Sequence, residues 1–265
     1  MPVGNTFGRM PVWRSVLGAI VLPFVTTCYG QVEHTIHFGA SLIMGGFEHE
    51  LVIPEKGLEL IGNEANGGYD LHAGWLGLVG PEGGFARVGL GLCVRYRTFD
   101  RSVLTSEYHL QPSSFYDERT LYDGTIRAPE KSIGIPLQVW FRAGGRSSVF
   151  IGFEPQFTFL GRCTEKGSAV TTTTHYSGPD FHVVSVTETS GSYYRVVDRS
   201  YSTTARLQLD LGYRFIASDS FMFGPEISLI NDLLHRSEDQ KVVAMFGLAM
   251  AWTIPVTAAS ATTPE

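Results

Sequence analysis

Residues 131–160, KSIGIPLQVWFRAGGRSSVFIGFEPQFTFL, decide how the chain is read. Ile133, Ile135, Leu137, Val139 and Phe141 fall on one face, with Gly134, Pro136, Gln138 and Arg142 on the other. Ala143 to Ser148 (AGGRSS) turns the chain. Val149, Ile151, Phe153, Phe157 and Phe159 restore the apolar face, opposite Gly152, Glu154, Gln156 and Thr158. Alternation of period two is the mark of strands with one greasy and one polar side. The stretch therefore predicts a β-hairpin, and Pro136, which has no N–H for the ladder, predicts a bulge. A membrane barrel and a soluble sandwich share this local pattern, so the rest of the chain must separate them.

Moving outward, the same pattern recurs. His34 to Gly45 alternates through Ile36, Phe38, Ala40, Leu42 and Met44. Asp70 to Val79 does so with Leu71, Ala73 and Trp75 outward. Phe85 to Phe99 opposes Ala86, Val88, Leu90, Leu92, Val94 and Tyr96 to Arg87, Gly89, Gly91, Cys93, Arg95 and Arg97. Thr204 to Phe215 sets Leu207, Leu209, Leu211 and Tyr213 against Arg206, Gln208, Asp210 and Arg214. Phe221 to Leu233 and Lys241 to Ile254 complete about eight strands. Gly80–Gly84, Ala143–Ser148 and Ala217–Ser220 are short turns. Phe47–Tyr69, Asp100–Glu130 and Gly161–Thr203 read as long polar loops, and His235–Gln240 as a medium one. Even strand number with every second connection long is the habit of outer-membrane barrels. A sandwich gives no reason for it. The expected fold is all-β: a single antiparallel up-and-down transmembrane β-barrel over 31–254.

Composition agrees. Charged residues are 17%, below the ~25% of soluble domains, and mean hydropathy is near zero at +0.04. No run of about 20 apolar residues exists for a spanning helix. At the N-terminus Arg9 and Arg14 precede an apolar core, Ser15 to Thr27, and Cys28-Tyr29-Gly30 offers a cleavage site before Gln31. Residues 1–30 are thus expected to be a cleaved signal peptide, with Met10 as an alternative start. A lipoprotein reading through Cys28 needs a smaller residue than Thr27 before it. The tail, 255–265, is small and polar and is expected to be disordered. Only Cys93 and Cys163 remain after cleavage, too few for a disulfide framework, and both are expected to stay unpaired. A formal charge of −6 speaks against nucleic acid as a partner.

If the apolar positions meet lipid, the lumen receives Arg87, Arg95, Arg97, Arg142, Arg206 and Arg214 with Asp70, Glu154, Asp210 and Glu226. Eight strands enclose room for side chains only, and buried charges must pair. An interlocked Arg–carboxylate plug is expected, in preference to a gated ion path. Aromatic residues suggest two belts. Trp140, Phe141, Tyr213, Phe215, Phe221 and Trp252 lie beside short turns or the C-terminal end; Tyr96, Phe99, Phe157 and Phe159 lie beside long loops.

At this point the chain resembles the PorT-type family of bacterial outer-membrane β-barrels over roughly His34 to Ile254. The resemblance rests on HFGAS, on HAGWLGL and above all on Ile133-Gly134-Ile135-Pro136-Leu137, which looks like the family's acidic-Ile-Pro-Leu strand with Gly134 in the acidic place. Val149 to Glu154 and the Gly-bearing closing strand also fit. It implies a small barrel in the bacterial outer membrane, in some members linked to secretion or gliding. One departure is that the chain does not close on an aromatic residue.

For catalysis, His175, Ser177 and Asp180 cluster beside His182, the residue types of a hydrolase triad, but spacing alone does not assemble one. The same histidines and Asp180 lack the spacing of a closed metal site. His34 and His37 should face opposite sides of their strand. The expectation is no enzyme activity, no metal and no cofactor. Expected partners are outer-membrane lipid and a surface or periplasmic protein, the latter met by the Tyr- and Ser-rich Gly161–Thr203 segment. The rival is a soluble lipocalin-like barrel, which would turn its apolar face inward to hold a ligand.

Overall fold

In a computed structural model, residues 32–45, 58–81, 84–111, 115–177, 180–197, 202–234 and 242–254 are described. Residues 1–31, which include the expected signal peptide, the expected disordered tail 255–265 and residues 235–241 lie outside these. The described chain is all-β, without a helix: β1 (Val32–Met44), β2 (Leu58–Val79), β3 (Ala86–Gln111), β4 (Tyr116–Gly134), β5 (Leu137–Arg142), β6 (Ser147–Leu160), β7 (Cys163–Ser177), β8 (His182–Val197), β9 (Thr203–Ser218), β10 (Phe221–Asp232) and β11 (Val243–Ile254).

Eleven labelled segments make an eight-stranded ring: β4 runs into β5 and β6 into β7, and the ring closes through β1, β2, β3, β4–β5, β6, β9, β10 and β11. All pairings are antiparallel, and β11 closes on β1, for example Met250 opposite Phe38. Pro136 interrupts the first of these pairs without shifting it. Cys93 opposes Gly134 and Leu90 opposes Leu137, so three residues on one strand match three on the other. The expected bulge is absent: Ile135 N–H still donates to Pro155 O (3.1 Å) and Gly91 N–H to Pro136 O (3.1 Å). A bulge does occur at Gly161–Arg162. There Leu160 opposes Glu130 but Thr164 opposes Arg127, four residues against three.

The register fixes the shape. Following partners once round the ring leads from Arg97 through Asp70, Ser41, Gly247, Glu226, Gly212, Phe150 and Trp140 to Arg87. The circuit returns ten residues lower on β3 (97 − 87). Eight strands with that stagger tilt about 40° and leave a radius near 8 Å. Such an interior holds side chains and nothing wider. Gly134 and Gly212 make the room. A Cβ on Gly134 would lie 2.1 Å from Glu154 Oε1, and one on Gly212 2.1 Å from the Phe150 ring.

Polarity is inverted relative to a soluble protein. Leu92, Val94, Ile133, Ile151, Phe153, Leu209, Leu211, Phe246 and Leu248 are exposed on the outer face, while Asp70, Arg97, Glu154, Arg206 and Gln208 are wholly buried. On β6 the apolar face runs from Val149 to Phe159, a rise of ten residue steps, or about 25 Å of height at this tilt. That matches the apolar band of barrels that cross a bilayer.

Beyond that band the structure differs from the expectation of long loops. Asp100–Gln111 and Tyr116–Glu130 form the outer halves of β3 and β4, and most of Gly161–Thr203 forms β7 and β8. Leu58 to Tyr69, within the segment read as a loop, belongs to β2. Together the outer parts of β2, β3 and β4 with β7 and β8 form a sheet that stands on the barrel, with outer β2 at one edge and β8 at the other. The physical reason is solvent: both faces are wet there, so Thr, Ser, Tyr and Val keep β-propensity without an apolar side.

Candidate functional site

The interior is stacked in layers. At the short-turn end Leu76, Leu78, Trp140, Phe150, Met222 and Ala251 form an apolar stopper. Trp140 stacks on Phe150 with ring centroids 4.9 Å apart and donates its indole N–H to Gln138 (2.9 Å). Farther out Ile43, Phe99, Ile230, Val243 and Met245 form a second apolar layer. The charged network lies between and around them.

Its centre is Asp70. That carboxylate accepts from Arg97 Nε at 2.7 Å, from Arg95 at 3.0 Å and faces His72 Nδ1 at 3.0 Å. Arg95 reaches across the lumen to clasp Glu154 with two bonds, 3.0 and 2.8 Å. Arg97 also donates to Gln156 and Gln208 (2.7 and 2.5 Å), and Gln156 donates to Glu154 (2.9 Å). Gln208 and Ser228 both donate to Asp210. Arg214 pairs with Glu226 at 2.7 Å and lies 4.8 Å over the Phe150 ring, tying the network to the stopper. On the outer side Arg206 binds Glu130 and lies 3.5 Å from Asp232, which also accepts from Thr204. A cavity of about 20 Å³ beside His37, His72, Arg95 and Asp210 is the space between these groups. It has room for about one water.

Of the residues anticipated in the lumen, Arg95, Arg97, Arg206, Arg214, Asp70, Glu154, Asp210 and Glu226 are brought together there. Arg87 and Arg142 are not. Arg87 pairs with Glu33, and both arginines line a recess of about 280 Å³ at the short-turn mouth, below the Trp140 stopper. They sit at the mouth because the stagger ends the strands there, so the inward direction already opens to solvent. His72, Glu130 and Asp232 complete the network and were not anticipated; each lies on an inward parity of its strand, which was the available signal.

Trp140 and Phe99 depart from the expected belts. Both are buried inside, at 8% and 6% exposure. Alternation puts Trp140 on the face of Gln138 and Arg142, and that parity outweighs its nearness to a turn. The other belt residues lie on the outer face. Near the short turns Tyr213 meets Phe215 (4.7 Å), Phe215 meets Phe223 (5.7 Å), Phe221 meets Trp252 (4.9 Å) and Phe141 meets Phe85 (5.8 Å). At the other limit Tyr96 meets Tyr69 (6.2 Å) and Phe157 meets Phe159 (4.9 Å).

The exposed sheet has its own cluster. Arg195 binds Glu165 twice (2.7 and 3.0 Å) and lies 5.2 Å over Tyr122 and 5.6 Å over Tyr193. Burial, then the bond to Glu165, pushes the Tyr193 phenol well above its usual range, so it stays a donor. At the hairpin tip Ser177 opposes His182, whose Nε2 is 4.0 Å from Asp180. The His182 and Asp180 side chains are 78% and 81% exposed. A triad needs an oriented histidine shielded from water, and among the described residues no partner orients this one beyond the 4.0 Å approach to Asp180. Among the described residues no cluster has the makings of a metal site. His34 stacks on outward Trp75 while His37 faces His72 inside. Cys93 and Cys163 are buried, and no disulfide joins them.

The outward apolar face excludes the lipocalin arrangement, which needs that face inside. No family model matches the chain, and no curated protein does. Among solved structures, Neisserial surface protein A aligns at 8% identity over 83% of this chain and 97% of its own, with a TM-score of 0.39. Ail, the attachment invasion locus protein of Yersinia pestis, aligns at 11% over 85% and 99%, TM-score 0.31. The N-terminal β-barrel domain of Pseudomonas aeruginosa OprF aligns at 11% over 84% and 100%, TM-score 0.26. The ring described above rests on this chain's own strand pairing.

Proposed function

We propose that the chain is a bacterial outer-membrane barrel that holds a recognition sheet above the membrane and has no enzyme activity. The observation that carries this reading is the closed, inside-out ring with an apolar band of about 25 Å from which a polar sheet extends on one side only. Only helices and closed barrels satisfy every backbone group in lipid. The short turns then face the periplasm, after export directed by residues 1–30. The layered, pair-satisfied lumen favours a plug over a pore. A PorT-type role, with its link to secretion in some members, is the finer reading suggested by the Ile133–Leu137 stretch.

For the sheet, strand β8 is the recognising element. It is an edge strand, and from Phe181 to Ser190 every residue is exposed. An uncovered edge presents unpaired N–H and C=O groups to another chain, and strand addition is a common way for a protein partner to use them. Val183, Val184 and Val186 add an apolar strip. The test is fractionation with heat-modifiable migration in detergent gels, followed by proteinase treatment of intact cells. Outer-membrane recovery and cleavage confined to the β7–β8 region are expected. Full solubility without detergent would overturn the reading.

A further inference from the structure

The outer wall of the barrel carries a groove of about 530 Å³ between β2, β3, β4 and β6. Two neighbouring rungs of the ladder build it. Ala73, Val94 and Ile133 stand side by side as a short floor, and Leu71, Tyr96, Lys131 and Phe159 form the rung above. The groove exists because Ala73 is small where its neighbours on the outer face are large. Its surface is almost wholly apolar except for Lys131 at its upper limit, level with the Tyr69–Tyr96 ring pair.

Lys131 is out of place on a lipid-facing rung. Elsewhere round the ring at this height the outward residues are Leu42, Met44, Ala244, Leu207 and Phe157, with no cation among the described residues. Three residues beyond Phe159, the exposed Arg162 adds a second positive charge. Arg127, nearby, is neutralised by two 2.8 Å bonds to Asp100. Lys131 and Arg162 make no ion pair among the described residues. A lysine at the edge of an apolar band stretches its ammonium to headgroup level. An apolar trough ending beneath such a cation matches a molecule with a hydrocarbon chain and an anionic head.

We propose that this groove is a binding site for one phosphate-bearing lipid, with an acyl chain laid over Ala73 and its phosphate on Lys131. The site rests on the membrane reading above, and deepens it by naming a lipid position. Arg162 lies farther out and attracts the headgroup without a direct bond to the same phosphate. Tyr96 and Phe159 wall the chain on either side.

The test is native mass spectrometry of the full protein released from neutral detergent after mixing with dioleoylphosphatidylglycerol or dioleoylphosphatidylcholine. One phosphatidylglycerol is expected to survive at collision energies that strip phosphatidylcholine. Lys131→Gln should lower that retention about fivefold, the share of one surface lysine, while Lys131→Arg keeps it. Ala73→Leu should lower it by filling the groove, whereas Ala244→Leu at the same height should not. Heat-modifiable migration checks that each variant is folded. Retention by Lys131→Gln or by Ala73→Leu equal to that of the unaltered protein, or no preference for phosphatidylglycerol, overturns the site. Complete displacement by millimolar inorganic phosphate overturns it too, by assigning Lys131 to free phosphate. Failure of the membrane reading would show separately, as protein that stays soluble without detergent and fractionates away from the outer membrane.

Discussion

Strands β6 and β7 are one continuous run of chain in two different environments. From Phe150 to Phe159 burial alternates strictly, with Phe150, Gly152, Glu154, Gln156 and Thr158 sealed and Ile151, Phe153, Phe157 and Phe159 exposed. Past the Gly161–Arg162 bulge, Cys163–Ser177 begins with two sealed positions, Cys163 and Glu165, and then mixes half-buried with exposed positions, none of them sealed. In the first part side-chain identity is dictated by position: a large apolar group outward, a paired polar group inward. In the second part either face tolerates Thr, Ser or Tyr, because water satisfies whatever the sheet does not. One ladder therefore carries a demanding half and a permissive half, and substitutions should reveal the boundary between them.

The largest effect is expected inside. Asp70→Leu strips the shared acceptor from Arg95 and Arg97 and leaves buried guanidinium groups short of a counter-charge, a loss of about 3–5 kcal/mol. Urea unfolding in lipid vesicles measures it, and a loss below about 1 kcal/mol would mean water compensates the lumen. Next is the stopper. Trp140→Ala should cost about 3–5 kcal/mol as a cavity-forming change, against less than half of that for Trp252→Ala on the outer face. Equal losses would return Trp140 to the belt. Third, Phe153→Arg in mid-band should cost about 2–4 kcal/mol, while Thr172→Arg in the exposed sheet should stay within about 0.5 kcal/mol. Comparable costs at both would abolish the distinction between the two halves. The smallest effect is expected from replacing 161–201 by a short turn. Leu160 N–H already bonds Ser202 O at 2.9 Å across the base of that hairpin, so the truncated ring should still migrate as a folded, heat-modifiable band.

The demanding half was the legible one. Eight strands, three short turns and the outward face could be read because lipid-like burial outside and polar burial inside write a period of two into β3, β6 and β9. The permissive half was read as loops because the same rule is silent where both faces are wet; Asp100–Glu130 and Gly161–Thr203 contain strands with no greasy side to count. Trp140 shows a different failure. Parity placed it inward, but turn proximity and residue type argued for a belt, and packing on Phe150 settled the matter. Which arginine meets which carboxylate was not legible at all. Arg95 clasps Glu154 and Arg206 binds Glu130 because of a stagger of ten residues per circuit, a property of the whole ring that no single strand records.

The seam between β1 and β11 has a kinetic meaning. Glu33 and Thr253, bonded at 3.1 Å across it, are 220 positions apart, whereas the hairpin turns join neighbours a few residues apart. Chain entropy makes closure of the seam about 3–4 kcal/mol more costly than closure of a four-residue turn. Hairpins can therefore zip early, and the ring must wait for its most distant pairing. Until that moment β1 and β11 are two bare edges. Changes at the seam, such as loss of the Phe38–Trp252 contact, should slow insertion more than changes of equal cost at the AGGRSS turn. The time for which the open sheet is vulnerable is set there.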